Sequence, residues 1–140
     1  MRIGILGVGY VGLVTGACLS DFGHHVICID KDLSKIKKLN RGEITIYEPG
    51  LGILVKKNLE AKRLSFSFDL SKYIKKLDVI FVAVDTPTRR TDGQADLETL
   101  FSAIKEIVSL SDGRKIIVIK STVPVGTNQQ IRKLFADTKI

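Results

Sequence analysis

The sequence predicts a doubly wound α/β fold, a parallel sheet with helices on both faces. Five apolar runs, at 3–6, 26–29, 64–68, 79–84 and 116–119, supply the first observation. Several are rich in Val and Ile and show little period-2 alternation, so they read as strands covered on both faces. Helix-length amphipathic stretches separate the runs, and strands that alternate with crossover helices make a parallel sheet. A glycine-rich turn, Gly7-Val8-Gly9-Tyr10-Val11-Gly12, joins the first run to the first helical stretch. That placement is typical of a dinucleotide-binding, Rossmann-type sheet.

The elements follow in order. The stretch 10–22 opens on glycines and stops at Gly23, a natural C-terminal glycine. In 33–39 the spacing turns Ile36 and Leu39 inward and the lysines outward. Pro49 suits the first turn of a helix running to about residue 61, since its missing N–H costs nothing there. Asp96 is placed to cap a helix over 97–110, where Leu97, Leu100, Phe101, Ile104, Ile107 and Val108 keep helical spacing. Thr127 is read in the same way as the cap of 129–135. Right-handed crossovers then leave few topologies. Five strands are in hand where the chain ends, whereas a full fold of this kind often adds a sixth. The chain therefore reads as one domain, residues 1–140, cut short or minimal.

Composition narrows the function classes. With 140 residues and 44% apolar side chains, one domain with a real core is expected, and disorder is excluded. Cys18 and Cys28 make neither a disulfide framework nor a metal-ligand spacing. Both are expected to be small buried thiols, which suits a reducing, cytoplasmic compartment. His24-His25 reads as a turn pair without a third ligand at metal-binding spacing. No run reaches the roughly 18 apolar residues of a membrane span, and the glycine-broken start is too short for a signal peptide. The net charge of +7 is spread along the whole length, as at Lys37-Lys38 and Arg132-Lys133. It implies mild attraction to phosphorylated ligands. Nucleic acid is not expected as a partner, because no aromatic-lined basic stripe accompanies the charge.

Each glycine of the turn has a mechanical role. Gly7 permits the tight exit from the strand, and Gly9 lacks the Cβ that would block a pyrophosphate. Gly12 lets the helix lie close on the sheet, and Gly16 extends that close face. The free amides and positive dipole end at the helix start then hold the phosphates. Asp30, eighteen residues past Gly12 at the end of the second run, is placed to accept the ribose hydroxyl hydrogens. A carboxylate there repels a 2′-phosphate, so NAD is expected over NADP, although Lys31 and Lys35 lie near.

Beyond these features, the sequence resembles the N-terminal domain of the UDP-glucose/GDP-mannose dehydrogenase family. The similar segments are 7–19, Leu39-Asn40-Arg41-Gly42, Ile46-Tyr47-Glu48-Pro49-Gly50-Leu51, Val84-Asp85-Thr86-Pro87-Thr88, and 120–127. Together they cover essentially the whole chain. The resemblance implies two-step oxidation of a nucleotide sugar's primary alcohol to a carboxylate with two NAD. It places Tyr10 and Val11 of the glycine turn on the cofactor, and Lys35 near the adenosine ribose. It sets Val84, Thr86, Pro87 and Thr88 along the nicotinamide side of the cleft, with Ser121 and Thr122. Thr122 matches a threonine thought to help position a water. Both loops follow strands at the carboxyl edge of the sheet, where ligands bind in such folds.

Two positions depart from the family pattern: Asp85, where relatives usually carry Gly or Asn, and Thr45, often Pro. By the same resemblance, the nucleophilic cysteine, the catalytic lysine and most sugar-nucleotide contacts belong to parts outside this chain. Neither cysteine matches the nucleophile, and Lys120 is not the catalytic lysine. The chain is expected to bind NAD without full turnover alone, and to take a UDP-sugar only with the remaining part. Other readings are the NAD-binding domain of another nucleotide-sugar or β-hydroxyacid dehydrogenase, and a non-catalytic dinucleotide-binding module. An uncovered sheet edge after the fifth strand implies self-association, as a homo-oligomer or with a complementing second chain.

Overall fold

β1 (Arg2–Leu6), β2 (His25–Ile29), β3 (Leu64–Ser67), β4 (Val79–Val82) and β5 (Ile116–Ile119) form one parallel sheet in the order β3-β2-β1-β4-β5. The computed structural model describes residues 1–91 and 93–135. The helices are α1 (Tyr10–Asp21), α2 (Leu33–Asn40), α3 (Leu51–Glu60), α4 (Glu98–Leu110) and α5 (Thr127–Phe135), with a 3₁₀ turn at Ile74–Lys76. The chain winds outward from β1 through β2 to β3, then returns to lay β4 against the other side of β1. The winding direction therefore reverses between β1 and β4, and a crevice opens at the carboxyl ends of these two strands.

Two apolar layers sandwich the sheet, which explains the uniform hydrophobicity of the runs. Along β2, Val26 and Cys28 face α1 and α3, while Ile27 and Ile29 face the layer that holds α4. The first layer packs Ile3, Ile5, Leu13, Ala17 and Val55. The second packs Ile80, Val82, Leu100, Ile104 and Ile107. β5 differs from the expectation of cover on both faces. It is an edge strand, and Ile116 is 61% exposed.

The ends of several elements depart from the sequence reading. Gly23 does end the first helix, with φ at +93° and its N–H donated to the Ser20 carbonyl. Pro49 lies ahead of α3, whose N-cap is Gly50 in the left-handed region (φ 81°), so the proline precedes the first turn. Asp96 stands one residue outside the cap position of α4; its Oδ1 accepts the Glu98 N–H at 2.9 Å while Leu97 is the N-cap. Thr127 is the first residue of α5, not the cap before it, and its hydroxyl donates back to the Pro124 carbonyl at 2.8 Å. The strong side-chain cap is Asp32, which accepts from the N–H groups of Ser34 and Lys35 at the start of α2. β3 and β4 are shorter than their apolar runs, because Phe68 turns outward and the chain leaves the sheet at Ala83 to enter the crevice. Cys28 is buried as expected, but Cys18 is exposed, on the outer side of α1.

Candidate functional site

The glycine turn is held open by backbone geometry. Gly7 has φ at +93°, and a Cβ there would lie 2.5 Å from the Ala83 carbonyl oxygen, so only glycine fits. Its N–H donates to the Ile29 carbonyl at 2.8 Å, tying the turn to β2. Gly12 allows the opposite contact, because its own Cβ would stand 1.9 Å from the Gly7 carbonyl oxygen. Gly9 is different: a Cβ there would meet nothing within 4 Å except Asp85 Oδ1 at 3.3 Å. Its bare face looks into the crevice. Val8 is fully buried beneath the turn and does not fill the crevice.

The first intrahelical bond of α1 runs from the Leu13 N–H to the Gly9 carbonyl. The amides of Tyr10, Val11 and Gly12 precede it and have no helical acceptor, so they form an anion seat at the positive end of the helix dipole.

Asp30 stands beside that seat. Its Oδ2 accepts the Val8 N–H at 2.8 Å and its Oδ1 accepts the Asp32 N–H at 3.0 Å. The Lys35 ammonium lies 3.6 Å from Oδ2. A carboxylate offers about four acceptor positions, so each oxygen keeps capacity for a hydroxyl after these bonds. Lys31 pairs instead with Glu106 at 3.6 Å, and both border the same cavity.

Two cavities flank the turn. The larger, about 290 Å³, reaches from Gly9 past Asp30 and Lys35 to an apolar end at Phe68, Leu70 and Ala103. Val84 and Pro87 also border it. The smaller, about 160 Å³, is bordered by Tyr10, Val11, Thr86, Ser121 and Thr122. Gly9 and Asp85 line both. The loops after β4 and β5 are fastened to each other across the smaller cavity. The Ser121 hydroxyl donates to the Val84 carbonyl at 2.7 Å, and the Thr86 hydroxyl donates to the Thr122 carbonyl at 2.9 Å.

Twelve of the thirteen residues predicted from sequence thus border one cavity or the other, or supply the amides between them. Thr88 is apart, in an isolated antiparallel bridge with Ala95, and lines neither. Two contributions were not foreseen. Thr99, Ala103 and Glu106 of α4 wall the larger cavity. Glu48 accepts a hydrogen bond from the Tyr10 hydroxyl, joining the segment before α3 to the start of α1. That bond, with Glu48 as the largest cause, raises the Tyr10 phenol above its ordinary value. The hint in the sequence was the Tyr47-Glu48-Pro49-Gly50 stretch, which read first as a helix entrance.

Amides for a pyrophosphate, an acidic group for a ribose, an apolar end for a base and a second cavity beyond the phosphates fit a dinucleotide in extended form. Residues 1–139 match the model of the UDP-glucose/GDP-mannose dehydrogenase family, NAD binding domain. The chain belongs to the UDP-glucose/GDP-mannose dehydrogenase family. It is 48% identical over 138 residues to UDP-glucose 6-dehydrogenase of Rhizobium meliloti, covering 99% of this chain and 32% of that protein. It is 47% identical over 133 residues to UDP-glucose 6-dehydrogenase TuaD of Bacillus subtilis, covering 95% and 29%. Among solved structures, GDP-mannose dehydrogenase of Pseudomonas aeruginosa, in a ternary complex, superposes with a TM-score of 0.91 at 38% identity. That match covers 99% of this chain and 33% of the other. This UDP-glucose/GDP-mannose dehydrogenase family domain thus spans about a third of the length of such relatives, and its cofactor is NAD.

Proposed function

We propose that this chain forms the NAD site of a UDP-glucose 6-dehydrogenase-like enzyme, which oxidises UDP-glucose to UDP-glucuronate. The seat beside Asp30 carries the reading. In it the amides of residues 10–12 hold the pyrophosphate, and Asp30 accepts the adenosine ribose hydroxyls, with Lys35 alongside. The base lies at the apolar end between β2 and α4. Val84, Thr86 and Pro87 border the nicotinamide side together with Ser121 and Thr122, Thr88 lies beyond them in its bridge to Ala95, and the exposed Thr122 hydroxyl orients a water.

NAD, when bound, supplies the hydride acceptor. Oxidation of a primary alcohol to a carboxylate removes two hydrides in succession and takes one oxygen from water, so two NAD are consumed. The residues of this chain bind and orient; a thiolate nucleophile for the second step needs a cysteine beside the sugar. Burial pushes the Cys28 thiol up to about 12, and Cys18 faces outward from α1. The UDP-sugar site and that nucleophile therefore belong to a further part of the enzyme, and this chain is inactive alone. The first relatives carry the name UDP-glucose 6-dehydrogenase, which favours UDP-glucose. The Pseudomonas neighbour acts on GDP-mannose, which keeps another nucleotide sugar as the second reading. No helix among the described residues is long and apolar enough to cross a membrane. A buried thiol at Cys28 and a nucleotide-sugar substrate support a cytoplasmic location.

Isothermal titration of the chain with NAD and NADP tests the site. Binding of NAD with weaker NADP is expected, because a 2′-phosphate would stand against the Asp30 carboxylate. Absence of NAD binding by the folded chain, or tighter NADP, would refute it. Mixing the chain with the remaining two-thirds of a relative tests the substrate: NADH should form with UDP-glucose, and formation only with another nucleotide sugar selects the second reading.

A further inference from the structure

Three carboxylates border the crevice, and whereas Asp30 meets Lys35 and Glu106 meets Lys31, Asp85 has no ion-pair partner among the described residues. Its Oδ1 lies 3.3 Å from where a Cβ on Gly9 would stand, directly over the bare face of the phosphate turn. It lines both the larger and the smaller cavity, so its carboxylate sits between them. The side chain is exposed and stands in none of the hydrogen bonds or ion pairs found among the described residues. No hydrogen bond or ion pair among the described residues accounts for a charge at this point.

We propose that Asp85 sets the balance between oxidised and reduced cofactor. The inference rests on the reading above, in which the dinucleotide lies across both cavities with its pyrophosphate at the amides of α1. A carboxylate between the cavities then faces two charges. It repels the pyrophosphate, equally in NAD and NADH. It attracts the nicotinamide ring only when that ring is oxidised, because the oxidised ring carries a positive charge and the reduced ring is neutral. The two effects partly cancel for NAD and do not cancel for NADH. Asp85 thus weakens NADH more than NAD and hastens release of the reduced product. That suits an enzyme that must exchange its cofactor between two oxidations of one substrate. Lys120 borders the smaller cavity, and Asp30, Lys31, Lys35 and Glu106 border the larger; all are unchanged when Asp85 alone is altered.

The experiment is titration of the chain and of Asp85→Asn with NAD and with NADH at low and high salt. A single charge acting over about 8 Å at intermediate dielectric changes a binding constant by about fivefold. Asp85→Asn is therefore expected to bind NADH about tenfold tighter and NAD only about twofold tighter, moving the preference by about fivefold. At about 1 M salt, where the screening length falls to about 3 Å, the difference should shrink toward nothing. Asp85→Ala should reproduce the shift if charge rather than shape is responsible. An NAD-to-NADH preference unchanged in both variants overturns the proposal while leaving the cofactor site intact, and so does a shift that salt does not diminish. Failure of the folded parent and both variants to bind either form overturns the site reading itself, and the proposal with it.

Discussion

Replacing Gly12 by Ala sets two physical effects against each other, and the structure decides the sign. Helix propensity alone favours the change by about 1 kcal/mol, since Gly12 lies within α1. The added Cβ, however, would stand 1.9 Å from the Gly7 carbonyl oxygen and 3.0 Å from its carbon. Those are backbone atoms of a residue that cannot yield, because Gly7 at φ +93° is itself lodged against the Ala83 carbonyl. The start of α1 must therefore lift from the sheet by more than an ångström. Overpacking of this kind costs about 1–3 kcal/mol, and a rigid backbone neighbour puts it at about the upper end. A net loss of about 2 kcal/mol is expected. Gly52 in α3 is the control: there a Cβ would meet only Ile44 Cδ1, at 3.7 Å, an ordinary contact. Gly52→Ala should gain about 0.5–1 kcal/mol through the unfolded chain. Urea denaturation followed by far-UV circular dichroism measures both. Equal or greater stability of Gly12→Ala than of the parent would refute the packing argument. The same variant should also weaken NAD binding by about tenfold or more, since a lifted helix end carries the phosphate amides away from Asp30.

The remaining predictions concern other parts of the fold. Cys18 should react rapidly with a thiol reagent in the native chain, while Cys28, fully buried with its thiol pushed up to about 12, should react only on unfolding; two fast thiols would contradict the packing of β2 on α1. The Asp21 carboxyl is held below its ordinary value, chiefly by the hydrogen bond from Lys57 at 2.7 Å and then by Asn58. Asp32 and Asp69 are lowered by their bonds from Lys35 and Ser71. Groups lowered by folding contribute stability above the ordinary carboxylate range, and that contribution is lost as pH falls through the depressed values. Asp21→Asn should therefore be less stable than the parent near neutrality and flatten the acid limb of the urea midpoint against pH; an unchanged limb would count against the Lys57 bond. The open edge of β5, with Ile116 exposed, should make the chain self-associate, and a clean monomer in sedimentation at high concentration would contradict this.

The sequence by itself determined the strands, the glycine turn and Asp30. These signals are local: Gly7 is required by its own left-handed φ, Gly12 by its contact with Gly7 within one strand–turn–helix unit, and the Val- and Ile-rich runs by burial on both faces. It did not determine where helices begin. Pro49, Asp96 and Thr127 each lie one position or more from the places their residue types suggested, because a left-handed Gly50 takes the cap of α3, an Asx turn draws the Asp96 carboxylate to the Glu98 amide, and the Thr127 hydroxyl donates to the Pro124 carbonyl. Nor did it show that Cys18 faces outward, since an apolar stretch does not reveal which of its members point away from the sheet. Only the tertiary structure brought Glu48 to Tyr10, α4 to the wall of the larger cavity and Asp85 over Gly9. Those neighbours are distant in the chain: Glu48 reaches Tyr10 because α1 and α3 pack in one layer, and α4 and Asp85 reach the crevice because the sheet reverses direction between β1 and β4. A single-sequence pattern records periodicity along the backbone, whereas a charge placed over a phosphate seat is decided by the crossing of two loops in space.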